Sequence, residues 1–201
     1  MILSEFPVDH FKISSGEMTN RALIEFCDNF GKTIYLSTGM SSLDEVSRTF
    51  SWIKRSPVIL FQSTSIYPTP YDKVGLPVIG LYAKLFEVYG VGLSDHTPTI
   101  DSCLAAVSYG ARYFEKHITL DRLAEGPDHC SSLEPDDMWR LRKSINHVWD
   151  ATRPTSKVMF QEEEEKARVH KHGYSHDNRG PKGNRIPLPS GSEVLQELPS
   201  P

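Results

Sequence analysis

The chain has 201 residues, 38% of them hydrophobic and 24% charged, with a formal net charge of −4, the balance of a soluble globular protein with enough apolar residues for one domain core. The mildly acidic charge argues against a nucleic-acid or membrane-surface binder, which carries a basic patch; no apolar stretch approaches the ~20 residues of a membrane span, and no secretory signal opens the chain. Cys27, Cys103 and Cys130 are odd in number, widely spaced and form no CxxC pair, so they read as reduced thiols of a cytoplasmic protein rather than a disulfide frame or a zinc site.

The first strand-like run is HFKIS, residues 10–14, and it delivers Lys12, Ser14, Ser15 and Glu17 at its end; Gly31 marks the stop of the helix that follows. TIYLS, 33–37, leads into Ser37 and Thr38. Next comes a helix opened by a Ser42/Glu45 capping box, with Leu43, Val46, Phe50 and Ile53 at helical spacing. PVILFQ, 57–62, ends in Ser63, Thr64, Ser65 and Tyr67, and Val78, Tyr82, Leu85 and Tyr89 repeat the helical pattern up to a stop at Gly90. GVGLS, 90–94, runs into Ser94, Asp95 and His96, and Gly110 stops the next helix. RYFEKH, 112–117, delivers Glu115, Lys116 and His117, with Asp121 just beyond. A last helix takes Pro135 in its first turn and shows Met138, Leu141, Ile145 and Val148 on one stripe.

Five mostly apolar strands alternating with helices predict a parallel sheet with helices outside it. No glycine-rich dinucleotide fingerprint follows any strand, which favours a (β/α)8 barrel over a doubly wound sheet. A full barrel takes ~250 residues, and about 150 are patterned here, so the expectation is an incomplete α/β barrel over residues 1–153, with the missing part upstream of Met1. Residues 154–201 are rich in charge, Gly, Pro and Ser and are expected to be a mostly disordered polar tail. His170, His172 and His176 within it are expected to be solvated.

Polar residues at the carboxyl ends of five successive strands converge on one cavity in a barrel. Hydroxyls, backbone N–H groups and a lysine suit a phosphate or carboxylate. Two histidines on neighbouring strands suit a divalent ion with open coordination positions. Each residue also has a structural reading: Asp95 as a cap of the following helix, His96 as a satisfied structural histidine, Glu17 as an exposed carboxylate. The recurrence of the same chemistry at the same strand end favours the functional one.

The segments FKISSGEMTN, YLSTGMSSLDEV, STSIYPTP, VGLSDHT, CLAAVSYGA, FEKHITLD and GPDH…SLEP, in this order over about residues 6–150, resemble the N-acetylneuraminate (sialic acid) synthase family. The resemblance implies a TIM barrel of which this chain holds strands 4–8. It implies condensation of phosphoenolpyruvate with an N-acetylated amino sugar, N-acetylmannosamine or its 6-phosphate. Lys12, Ser15, Ser37, Ser65 and Ser94 would hold phosphoenolpyruvate, with Ser65 at a position often occupied by asparagine. His96 and His117 would hold Mn²⁺ or Mg²⁺, Glu17 would act on the cation formed in the reaction, and Tyr67 and Asp128 would contact the sugar. The family further implies a homodimer and a following antifreeze-like domain, which nothing in residues 154–201 resembles. Two alternatives stand beside this reading. One is a non-catalytic half-barrel that associates with an intact subunit. The other is a Schiff-base aldol barrel, which requires a lysine isolated in an apolar pocket, whereas Lys12 and Lys116 stand among polar residues.

Overall fold

A computed structural model describes residues 8–153 and 156–170. The chain divides into two compact units, 1–154 and 155–201. In the first, β1 (His10–Ile13), α1 (Arg21–Asp28), β2 (Thr33–Ser37), α2 (Leu43–Phe50), β3 (Val58–Ser63), α3 (Pro77–Leu85), β4 (Gly90–Asp95), α4 (Asp101–Ser108), β5 (Tyr113–Lys116) and α5 (Pro135–Thr152) follow one another. In the second, α6 (Gln161–His170) forms inside the stretch expected to be a polar tail. Its run of glutamates places negative charge in the first turn, where the helix dipole favours it. His170 ends this helix, while His172 and His176 lie outside the described residues.

The sheet order is β1-β2-β3-β4-β5, and every pair is parallel. A doubly wound sheet would reverse its order at a switch point; here each crossover simply adds the next strand, as in a barrel. The sheet is also curled. Tyr35 on β2 and Tyr113 on β5 have ring centroids 6.1 Å apart, although three strand spacings on a flat sheet would separate them by about 14 Å. The architecture is thus an incomplete α/β barrel of five strands with their helices outside.

Strand alternation sorts the side chains into two faces. Phe11, Ile13, Ile34, Leu36, Val58, Leu60, Val91 and Leu93 point outward into a continuous core with Ile24, Val46, Ile79, Tyr82, Cys103 and Ala106 of the helices. The opposite parity, His10 and Lys12, Tyr35 and Ser37, Phe61 and Ser63, Gly92 and Ser94, Tyr113 and Glu115, forms the inner face. Aromatic rings floor it: His10 meets Tyr35 edge-on at 5.0 Å, and Tyr35 meets Phe61 at 6.1 Å.

The helix boundaries follow local chemistry. Ser42 and Glu45 complete the expected capping box at α2, and Pro135 takes the first turn of α5. Gly31 and Gly110 adopt φ of 61° and 96° just past their helices, as expected of helix stops. Gly90 departs from that expectation: α3 ends at Leu85 and Gly90 opens β4. A Cβ on Gly90 would lie 2.5 Å from the Tyr113 ring, and one on Gly92 would lie 2.3 Å from the Tyr113 carbonyl oxygen and 2.9 Å from the Phe61 ring. These glycines make room for inward-facing aromatics on a curled sheet. Ile53 and Tyr89, expected on helical stripes, fall beyond α2 and α3, and Tyr89 is 71% exposed.

Candidate active site

Three of the expected anion-binding residues, Lys12, Ser37 and Ser94, gather around Glu115 on the inner face, although they come from strands far apart in the sheet order. Lys12 Nζ donates to Ser37 Oγ at 2.9 Å and pairs with Glu115 Oε2 at 3.2 Å. Ser94 Oγ donates to the other carboxylate oxygen, Glu115 Oε1, at 2.9 Å. A contact between β1 and β5 closes over four strand spacings because the sheet curls. The cluster borders a cavity of about 410 Å³ lined by His10, Lys12, Tyr35, Phe61, Tyr113 and Glu115, within the size range of small-molecule sites. Ser15 and Ser65 meet at a second point. The Gly39 N–H donates to Ser15 Oγ at 3.0 Å, and a Cβ on Gly39 would stand 2.7 Å from Ser15 Oγ and 2.3 Å from Ser65 Oγ. Glycine at 39 therefore leaves room for two hydroxyls, from the loops after β1 and β3, where a side chain would stand.

His96 and His117 are brought together: their ring centroids are 5.3 Å apart at an interplanar angle of 81°. His96 Nδ1 lies 2.9 Å from the Thr64 carbonyl oxygen. A carbonyl only accepts, so Nδ1 carries the proton and Nε2 keeps its lone pair. Burial pushes the His96 pKa below its ordinary value, and the neighbouring His117 charge adds to this; the neutral, ligating form is favoured. His117 Nδ1 faces Asp128 Oδ2 at 3.8 Å, the side on which a ligating histidine is commonly supported by a carboxylate. Among the described residues no group of three His, Cys, Asp or Glu side chains is placed to share a metal ion. The donor set is therefore two imidazoles, which fits a divalent ion that keeps positions open to water and substrate.

Tyr67 packs its ring on His96 at 4.1 Å and on His117 at 5.8 Å. Burial raises the Tyr67 phenol pKa, and the carboxylates of Asp128 and Glu115 raise it further. Tyr67 thus stands against both rings of the histidine pair. Glu17 does not join these groups: it lies exposed on a 3-10 turn at Ser15–Glu17, and its polar contact among the described residues is with Asn20 Nδ2 at 2.6 Å.

Several strand-end residues serve the framework. Thr38 Oγ1 donates to the Phe61 carbonyl and accepts from Tyr82, and Asp121 accepts from the Leu123 N–H in a turn. Asp95 takes neither its structural reading as a helix cap, since α4 begins at Asp101 without a side-chain cap, nor a place on the inner face. Asp95 instead pairs with Lys116 Nζ at 2.7 Å, both side chains being 2% exposed or less. It also accepts from Thr97 N and Thr97 Oγ1. Strand alternation explains the exchange: with Ser94 and His96 pointing inward, Asp95 must point out.

The sequence reading names Glu115 at its strand end but gives it no role; in the structure it stands at the centre of the Lys12, Ser37 and Ser94 cluster, and its spacing two residues before His117 was the available signal. Gly39 carried no legible signal, because its role depends on Ser15 and Ser65 meeting in space.

The family model described as the NeuB family matches residues 1–157. The chain is 38% identical over 155 residues to an N,N'-diacetyllegionaminic acid synthase of Campylobacter jejuni, covering 75% of this chain and 46% of that protein. It is 38% identical over 148 residues to the human N-acetylneuraminate-9-phosphate synthase, covering 73% and 41% respectively. Among solved structures, an N-acetylneuraminic acid synthetase from Leptospira borgpetersenii in complex with citrate superposes with a TM-score of 0.75 at 30% identity, covering 83% of this chain and 59% of that one. The chain spans about half the length of the curated relatives it matches.

Proposed function

The chain belongs to the NeuB family, and from that premise we propose that the full-length protein condenses phosphoenolpyruvate with an N-acetylated amino sugar to a nonulosonic acid. The acceptor is N-acetylmannosamine or its 6-phosphate. The methylene carbon of phosphoenolpyruvate attacks the open-chain aldehyde, forming the new C–C bond and leaving positive charge at C2. Water adds there, and the tetrahedral intermediate expels inorganic phosphate by C–O cleavage, so substrates and one water balance product and phosphate.

The observation that carries this reading is the inner-face cluster of Lys12, Ser37, Ser94 and Glu115 beside the His96–His117 pair. Lys12 and the hydroxyls of Ser15, Ser37, Ser65 and Ser94 bind the phosphate and carboxylate of phosphoenolpyruvate through charge-assisted hydrogen bonds. His96 and His117 hold Mn²⁺ or Mg²⁺, which when bound polarises the aldehyde oxygen. Tyr67 and Asp128 orient the sugar. The family resemblance gives Glu17 the role of stabilising this cation or helping to direct water to it, a role its exposed position on the 3-10 turn, apart from these groups, does not support. These preplaced charges and dipoles supply the main rate acceleration. The Schiff-base alternative lacks support, since Lys12 bonds Ser37 and Glu115 and Lys116 is ion-paired to Asp95. The family reading also proposes a homodimer in the cytoplasm.

The test supplies the full-length protein with phosphoenolpyruvate and each acceptor, following phosphate release and the new acid by mass spectrometry. Product with one acceptor, abolished by a chelator and restored by Mn²⁺ or Mg²⁺, is the expected result. No product with either acceptor, or activity indifferent to chelation, overturns the reading.

A narrower expectation concerns Gly39. In Gly39→Ala the new methyl displaces the Ser15 and Ser65 hydroxyls, which can swing away, so the folded state should lose no more than about 1–2 kcal/mol. The KM for phosphoenolpyruvate should rise by roughly tenfold, equivalent to one lost charge-assisted hydrogen bond. An unchanged KM in a folded variant would remove Ser15 and Ser65 from the phosphoenolpyruvate site.

A further inference from the structure

We propose that Ser63 is a further substrate-contacting residue whose hydroxyl donates to an anionic oxygen of bound phosphoenolpyruvate. The inference rests on the functional reading above and adds a residue to it.

Ser63 is the last residue of β3 and is 7% exposed. Its Oγ is buried and has no hydrogen-bond partner among the described residues. Buried hydroxyls are nearly always paired, and an orphan calls for an explanation such as an absent ligand. Its direction follows from alternation. Val58 and Leu60 point into the outer core, so Phe61 and Ser63 have opposite parities to Leu60 and face inward, where the Phe61 ring lies under Lys12 Nζ at 5.9 Å.

The register places it further. Ser63 is the ladder partner of Ser94, and Ser94 is the partner of Glu115. One row across three strands thus carries two hydroxyls and a carboxylate, and that carboxylate is paired to Lys12. The neighbouring hydroxyls are engaged: Ser37 with Lys12, Ser94 with Glu115, Ser15 with Gly39, Thr38 with Phe61 and Thr64 with Lys73. Ser63 is the buried hydroxyl of this row left without a partner, one strand from Ser94 and two from the carboxylate that pairs with Lys12, and the group that fits an unpaired donor in such a row is an oxyanion. Ser63 also borders a cavity of about 510 Å³ that reaches Thr38, Ser41 and Ser65 as well as Leu43 of α2 and Val78, Leu81 and Tyr82 of α3, separate from the cavity beside Lys12.

The experiment titrates full-length wild-type protein and Ser63→Ala with phosphoenolpyruvate, inorganic phosphate and pyruvate, and measures the KM for each substrate and the melting temperature. A lost hydrogen bond to a charged group weakens binding by about tenfold. The expected result is that loss for phosphoenolpyruvate, with the KM for the amino sugar unchanged. The melting temperature of the free protein should be unchanged or raised, because removing an unsatisfied polar atom relieves the folded state. Loss confined to the phosphate arm assigns Ser63 to the phosphate, and loss confined to the pyruvate arm assigns it to the carboxylate. Wild-type binding of phosphoenolpyruvate with Ser63→Ala within twofold overturns the Ser63 assignment and leaves the functional reading intact. A fall in melting temperature with both KM values raised together marks Ser63 as structural and also overturns it. A wild-type protein that binds none of the three anions sinks the functional reading and Ser63 with it.

Discussion

Replacing Lys116 by methionine is expected to cost about 3–5 kcal/mol of folding free energy, the usual result of stripping the partner from a buried charge. Lys116 and Asp95 are 2% and 1% exposed at their side chains and 2.7 Å apart. Lys116 Nζ also donates to the Thr97 carbonyl oxygen. Methionine fills the volume but leaves the Asp95 carboxylate facing the Cys103 thiol, whose pKa burial and that same carboxylate already push well up. A domain of this size should melt roughly 6–20 °C lower. The double variant Asp95→Asn with Lys116→Met should recover most of the loss. Asparagine carries no charge to strand and still accepts from the Thr97 N–H, and replacing a buried pair by neutral groups is often close to neutral. Urea unfolding of the wild type, both single variants and the double variant gives the coupling directly. Lys116→Met within about 0.5 kcal/mol of wild type, the range of an ordinary surface substitution, would show that the pair is not the buried tie described here.

Removing either histidine should produce the largest change in chemistry. His96→Ala and His117→Ala each halve the protein's imidazole donors, and the expected loss of Mn²⁺ affinity is at least about 100-fold, beyond what changes in supporting residues alone cause. Condensation rate should fall with it, while melting temperature measured without metal should change by only a few degrees for His117, whose side chain is 32% exposed. Titration of the Mn²⁺ electron paramagnetic signal reads the affinity independently of turnover. Cys130→Ala, at an exposed cysteine, serves as the neutral comparison. Should His117→Ala bind Mn²⁺ within twofold of wild type, the two-histidine site is wrong whatever the activity shows.

What was legible in the sequence is what strand and helix periodicity encode. The five strands, the capping box at Ser42 and Glu45, Pro135 in its first turn, the parallel order and the incomplete barrel all depend on local pattern and on short right-handed crossovers. So does the placement of Lys12, Ser37, Ser94, His96 and His117 at strand ends, since position along a strand is a property of the chain itself. Among the boundaries that slipped, at Gly90, Ile53 and Tyr89, the one at Gly90 is set by a neighbour across the sheet. Gly90 reads as a helix stop until the Tyr113 ring beside it is known.

Distances between strands belong to the curl, which no local pattern states. Lys12 and Glu115 lie four strands apart in the sheet order, yet pair at 3.2 Å because the sheet bends. The same bend sets His96 and His117 5.3 Å apart with Tyr67 against both rings. Parity assigned each polar residue to a face, and tertiary packing decided what waited there. Asp95 met a buried lysine instead of a helix end, and Ser63 met no partner among the described residues. Sequence by itself determined which chemical groups this protein carries to one end of its sheet, because alternation and strand length are local. Which of those groups touch was decided by the tertiary structure alone, because curvature accumulates over all five strands and depends on how every inner side chain, down to two glycines in β4, is accommodated.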